Sequence, residues 1–289
     1  MIRTKTKKPD AILCGDFHLR ESTPICRTDD FWEAQWRKVA RINQLQGEYD
    51  CPVIHSGDLF DHWKPSPYLL SMAIQYLPEQ FWTVYGNHDL PQHSLELDYK
   101  CGTEVLARAG KVIVAEGNHW GQSLEKETYF MPGSMIGIWH VMTYQGKAPW
   151  PGCTDLTARQ ILEKYPQFDL IVTGHNHKSF VERLNGRLLV NPGSLTRQTA
   201  DQEDHIPMVY LYYADTNTVT PHILTYEKGV ISREHIDRVE QRNERLTAFV
   251  EMLSEEWEEG ISFEENLERF YQANNIRKSV MDIIRKAVE

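Results

Sequence analysis

Residues 172–180 read VTGHNHKSF, with His175 and His177 two positions apart after a stretch from Phe168 to Val172 that is apolar but for Asp169. Alternate residues of an extended chain face the same way, so both imidazoles project from one side of a strand end. Other groups of the same chemical kind recur along the chain: Asp16-x-His18, Gly57-Asp58-Leu-Phe-Asp61, Gly86-Asn87-His88-Asp89 and a lone His140. Carboxylate oxygens and imidazole nitrogens are ligands of zinc, manganese or iron. Such groups exceed what one ion needs, and one bridging aspartate would let two ions share them. Two ions about 3.5–4 Å apart clamp a phosphate for in-line attack and turn a water into a usable hydroxide.

These residues need a scaffold that brings them to one place. Ala11-Ile-Leu-Cys14, Pro52-Val-Ile-His55, Phe81-Trp-Thr-Val-Tyr85 and Leu170-Ile-Val172 read as short strands, each closed by a glycine-containing turn that presents Asp, Asn or His. In open α/β sheets the ligand site lies beyond the carboxyl ends of the strands. Between the early strands, residues 30–45 carry Phe31, Trp36, Val39, Ile42 and Leu45 at helical spacing, with Thr28 or Asp29 as cap. Residues 68–77 predict a second helix, entered through Pro65 and Pro67. Strand and helix alternate there, as in βαβ units. From Tyr129 onward, residues 137–144, 187–190, 208–213 and 219–226 look mostly like strands, which predicts a second sheet packed on the first. Ile236, Val239, Leu246, Val250, Leu253 and Trp257 then fit an amphipathic helix that Gly260 breaks, with further helical pattern to Ile283. The division expected is a catalytic domain over 1–228 and a helical extension over 229–289. The apolar face of the extension either packs on the body or docks another protein.

DxH, GDLFD, GNHD, a lone His and GHNH, in that order, resemble the calcineurin-like metallophosphoesterases over roughly residues 10–226. The resemblance implies a four-layer α/β/β/α sandwich of the metallophosphoesterase type with the dinuclear site at one edge, the C-terminal helical extension following it. It implies that Asp16, His18, Asp58 and His177 hold one ion and Asp58, Asn87, His140 and His175 the other. His88 would be no ligand; it would sit by the leaving oxygen as general acid or steady the transition state. Asp61 stands where the family has the carboxylate that orients this histidine, and Asp89 could fill that role instead. A narrower likeness lies in DFHL (16–19), RTDDF (27–31), HSGDLFD (55–61) with Pro65-Ser-Pro67, and NPGS (191–194). These segments resemble the SbcD-type DNA-repair nuclease subunit. That family implies manganese (iron, zinc and magnesium remain as alternatives), DNA as substrate, a homodimer, and an SbcC-like ATPase partner held through residues 232–288. Little chain follows residue 226 for the DNA-capping domain that many relatives carry.

The chain has 289 residues and a net charge of −10, half of it from the 14 acidic and 9 basic side chains of residues 229–289. That balance argues against sequence-blind nucleic-acid binding through a broad basic face. Five cysteines with no CxxC suggest reduced thiols in a cytoplasmic protein, and no run approaches the roughly 18 apolar residues of a membrane span. Arg20 and His62 are candidate substrate contacts beside the ligands. Trp63 and Trp120, in expected loops, are candidates for stacking on a nucleobase. The reaction expected is metal-assisted hydrolysis of a phosphodiester, with DNA preferred. A small-molecule or cyclic-nucleotide phosphodiesterase or phosphatase, and a non-catalytic scaffold of the same fold, are the alternatives.

Overall fold

The computed structural model describes residues 7–115, 129–131, 134–255, 262–274, 276–278, 280–282 and 284. The chain forms two compact units, Met1–Ser232 and Arg233–Glu289.

The first unit is built on two sheets. One contains β1 (Ala11–Cys14), β2 (Val53–His55), β3 (Phe81–Thr83) and β4 (Ile113–Val114). In the second, β5 (Tyr129–Met131), β6 (Ser134–His140), β7 (Leu170–Gly174), β8 (Phe180–Leu184) and β9 (Arg187–Asn191) pair in the order β5-β6-β7-β9-β8. Two late strands, β10 (Met208–Tyr213) and β11 (Thr218–Ile223), return to the first sheet and complete the order β11-β10-β1-β2-β3-β4. Strands β1 to β4 are parallel, as are β6, β7 and β9, so their carboxyl ends lie along common edges.

Side-chain alternation along each strand sorts the core into layers. Ala11 and Leu13 of β1 face the other sheet, where they join Ile54, Ile136, Ile138, Leu170, Val172, Leu188 and Val190. Ile12 and Cys14 point outward and pack with Val53 and Phe81 under α1 (Phe31–Tyr49), α2 (Pro67–Tyr76) and α3 (Gly102–Arg108). On the far side, Trp139, Ile171 and Leu189 lie under Ala158, Ile161 and Leu162 of α4 (Ala158–Lys164). The order helix, sheet, sheet, helix is the four-layer sandwich expected. Ile138, fully buried between the sheets, would cost about 2–5 kcal/mol if cut to alanine.

Local chemistry sets the helix starts. Asp30, not Thr28 or Asp29, caps α1: its carboxylate accepts from the Glu33 N–H at 2.9 Å. Ser66 caps α2 ahead of Pro67, whose missing N–H is no loss in a first turn.

The second unit holds α5 (Glu234–Glu255) and α6 (Phe263–Asn274). Leu267, Phe270 and Tyr271 of α6 are buried against Ile276, Met281 and Ile284. Val239 and Leu246 of α5 are exposed. Trp257, Gly260 and Ile283 fall outside the described residues, as do Lys5, His119 and Trp120.

Candidate metal centre

Asp16 and His18 follow β1, Asp58 follows β2, and Asn87 and His88 follow β3. His140 is the last residue of β6, and His175 and His177 follow β7. The seven expected ligands thus meet at the carboxyl edge shared by the two sheets. The backbone there is unusual. Asp16 (φ 48°), His18 (φ 44°), Asp58 (φ 56°) and His175 (φ 78°) all take left-handed conformations, a region that Asp and His tolerate better than most residues. Such strain gathers where a fold must aim side chains at a site. Gly57, at φ 97°, has His140 Nδ1 where a Cβ would stand 2.6 Å away, so only glycine lets the two loops approach.

Asp58 lies at the middle of the cluster. Its Oδ2 is 3.4 Å from His18 Nε2 and 3.3 Å from His140 Nε2, and its Oδ1 accepts from the His88 N–H at 2.8 Å. On one side, His18 Nε2 is 3.1 Å from His177 Nε2, which is 3.8 Å from Asp16 Oδ1. On the other, Asn87 Oδ1 lies 3.1 Å from His140 Nε2 and 2.9 Å from His175 Nδ1. Two groups able to hold a cation result: Asp16, His18 and His177, and Asp58, His140 and His175. A third, His18, Asp58 and His88, overlaps both. His140 Nδ1 donates to the Ser56 carbonyl at 2.8 Å, which leaves Nε2 as the atom facing Asp58.

Neither the Asp61 nor the Asp89 carboxylate is hydrogen-bonded to the His88 ring. His88 Nδ1 donates to the main-chain carbonyl of Asp61 at 2.8 Å. The Asp61 carboxylate turns away instead, to Arg20 Nη1 at 3.0 Å, with His18 Nδ1 at 3.8 Å. Asp89 is fully buried and takes no part in holding the imidazole. Its oxygens accept from the N–H groups of Leu59, Phe60 and Gly86 and from the Thr103 hydroxyl, pinning the 58–61 turn to the 86–89 turn. Arg20 is occupied by Asp61 and Ser22. His62 lies outside the cluster, exposed, its ring against that of Trp63. Trp63 itself packs on Tyr85, Leu90 and Cys101 rather than presenting a free face.

The electrostatics are those of a site built for cations. Burial raises the Asp58 carboxyl, but the imidazoles of His140 and His18 more than offset it and hold it well below the usual carboxylate range. Burial would lower His140; the Asp58 carboxylate overrides that and pushes it up to about 9. His175 goes the other way, lowered to about 4 by burial and by the charge on His140. Burial raises Asp16, and its Oδ2 is a buried oxygen with no hydrogen-bond partner. A buried acceptor without a donor is costly, and a hard divalent ion beside imidazole and carboxylate ligands supplies what is missing. The residues present therefore fit divalent metal ions.

Residues 10–215 match the calcineurin-like phosphoesterase superfamily domain. The chain is 24% identical over 193 residues to the DNA double-strand break repair protein Mre11 of Methanocaldococcus jannaschii, covering 58% of this chain and 50% of that protein. It is 30% identical over 121 residues to a protein of the same archaeon described as a probable metallophosphoesterase, covering 42% of this chain and 60% of the relative. The chain thus spans about half to three fifths of these curated relatives. Among solved structures, an archaeal phosphodiesterase aligns with a TM-score of 0.42 at 15% identity, over 74% of this chain and 99% of that one. With all five motif blocks gathered at one edge and the domain match covering most of the first unit, the chain belongs to the calcineurin-like phosphoesterase superfamily, metal-dependent hydrolases of phosphoester bonds that use paired ions.

Proposed function

We propose that this chain is a phosphodiester hydrolase whose substrate is DNA. The observation that carries the reaction is the sharing of Asp58: one carboxylate stands within 3.4 Å of imidazoles from both ligand groups and also receives the His88 amide. Asp16, His18, Asp58 and His177 would hold one divalent ion, and Asp58, Asn87, His140 and His175 the other. Bound there, a pair of ions such as manganese supplies positive charge at the phosphate and acidifies the attacking water.

The chain's own part is to aim and to move a proton. Asp89 fixes the two turns that carry Asp58 and His88. Because His88 Nδ1 donates to the Asp61 carbonyl, its Nε2 is the atom left for the substrate. Protonated there, His88 can give that proton to the leaving alkoxide. Arg20, held beside the site by Asp61, places a guanidinium where a neighbouring phosphate would pass.

The choice of DNA draws support from the 24% identity with Mre11 and from the SbcD-like segments. By the same likeness an ATPase partner engages residues 232–288, and the exposed Val239 and Leu246 of α5 offer it apolar surface. A homodimer is part of the same proposal.

The test is degradation of end-labelled single- and double-stranded DNA with Mn²⁺, beside a small chromogenic phosphodiester. Asp58→Asn serves as the inactive control. DNA cleavage abolished by Asp58→Asn is the expected result, and the product ladder gives the polarity. Cleavage of the small diester alone would replace DNA with a small phosphodiester as substrate. If neither is cut, even with the ATPase partner added, the hydrolase reading of this site fails.

A further inference from the structure

Beside the metal centre a cavity of about 620 Å³ opens, bordered on one side by His175 and His177. That volume is in the usual range for small-molecule sites and well beyond the needs of a phosphate alone. The cavity shares a wall with the candidate metal ligands His175 and His177, so a group attached to a phosphate held there can reach into it. Trp150, Met142, Ile206 and Met208 line much of the rest. Trp150 is 48% exposed, so a broad part of its indole is open to a ligand. Thioethers add soft, polarisable surface that suits aromatic rings.

The polar groups narrow the choice. Asp201 and Asp204 also line the cavity, and ionised carboxylates only accept hydrogen bonds. They favour a flat ring that carries N–H donors on its edge, while Lys178, also in the lining, can donate to an acceptor on the same ring. The His205 ring is pinned by its Nε2 to the Ser194 carbonyl at 2.7 Å and forms a fixed part of the wall.

We propose that this cavity receives one unstacked nucleobase of the substrate, with Trp150 as its stacking surface and Asp201 and Asp204 reading its N–H edge. This rests on the phosphodiesterase reading of the adjoining centre and specifies its substrate. A base still paired in a duplex cannot enter; it must first leave its stack. The preferred substrates are then single strands, frayed ends or single nucleotides.

The test is calorimetric binding of deoxyguanosine 5′-monophosphate and of 2-deoxyribose 5-phosphate to the Mn²⁺-loaded protein. The base-bearing compound should bind at least about tenfold tighter, as stacking one base on an aromatic ring allows. Trp150→Ala should bring that ratio close to one, and Trp150→Phe should keep most of it. Equal binding of the two compounds by the wild type, or a ratio that survives Trp150→Ala, overturns the proposal. Hydrolysis of a base-free chromogenic diester, measured in parallel, separates the two readings. Hydrolysis without base preference sinks the pocket and leaves the centre standing. Base preference without hydrolysis of any diester does the reverse.

Discussion

Replacing Gly86 by alanine adds one methyl group at the most crowded point of the centre. A Cβ built there stands 2.7 Å from the Asp58 carboxyl carbon and closer still to Asp58 Oδ1 and to the Asp58 main-chain nitrogen. Ordinary contact begins at 3.4 Å, so the carboxyl carbon must retreat by roughly 0.7 Å and Oδ1, which is nearer, by more than 1 Å. The main-chain nitrogen cannot retreat as freely, because the turn is held by the Asp89 carboxylate at Leu59 and Phe60 and by the His18 N–H on the Asp58 carbonyl. Overpacking of this kind costs about 1–3 kcal/mol of stability, or roughly 2–12 °C in Tm for a domain of this size. The larger effect should be on the reaction: a displacement approaching 1 Å in a positioned group can cost about 100-fold in rate. The assay is kcat/KM on a chromogenic phosphodiester with saturating Mn²⁺, alongside thermal melting. Gly47→Ala in α1 is the control, since nothing lies within 4 Å of its Cβ and helix propensity alone should stabilise it by up to about 1 kcal/mol. A Gly86→Ala protein that keeps a third or more of wild-type kcat/KM would refute the idea that the Asp58 carboxylate must stay where it is.

Asp58→Asn should lower metal affinity by at least about tenfold in calorimetry, since it weakens the oxygen shared by both ligand groups. Asp61→Asn should change kcat by less than about fivefold, because the carbonyl that holds His88 remains and the part-exposed Arg20 pair is worth under about 1 kcal/mol. His88→Asn, by contrast, should lose about 10²–10⁴-fold, and equal losses in the two variants would return the orienting role to the Asp61 carboxylate. Chelation of the metals should lower Tm by several degrees, since a ligand at about 100 times its Kd contributes roughly 2.7 kcal/mol. Lys38→Met should raise stability at pH 7. Burial, with the guanidiniums of Arg27, Arg37 and Arg197 around it, lowers the Lys38 amine to about 8 from 10.5. The folded state therefore carries a penalty of about 3 kcal/mol below pH 8 that fades as pH rises toward 10.5. The gain of Lys38→Met should fade over the same window, and a gain independent of pH would count against the desolvation account.

The centre was legible in the sequence because each contribution is local. A strand of three to five apolar residues, a glycine-bearing turn and one or two Asp, Asn or His residues form a pattern that survives without knowledge of the partners. The parallel sheets then do the gathering, since strands that run the same way deliver their carboxyl ends to the same edge. The second sheet was legible in the run of strands after Tyr129, and the four layers followed from the family resemblance; that Ala11 and Leu13 face one apolar layer and Ile12 and Cys14 another shows only in the fold. Where several polar residues compete within a few positions, the pattern is silent. Thr28, Asp29 and Asp30 can all cap a helix, and the choice falls on Asp30 because Arg27 takes the Asp29 carboxylate in a two-point pair at 2.7 and 2.6 Å.

The support of His88 escapes the sequence for a deeper reason. Sequence patterns encode side-chain types, and a carboxylate beside a histidine invites an ion-pair reading. The group that holds His88 is a main-chain carbonyl, which every residue possesses and no pattern marks. The carboxylates are spent elsewhere: Asp61 on Arg20, and Asp89 on three amides and a hydroxyl. The same limit hid the cavity beside the metals. Met142 and Trp150 come from the segment between β6 and α4, and Asp201 to Met208 from the segment leading into β10, some fifty residues later. Only the stacking of the two sheets brings them together. What the sequence marks is the metal chemistry, carried by short local motifs; the cavity proposed to choose the substrate is assembled from distant connections and becomes visible only once the chain is folded.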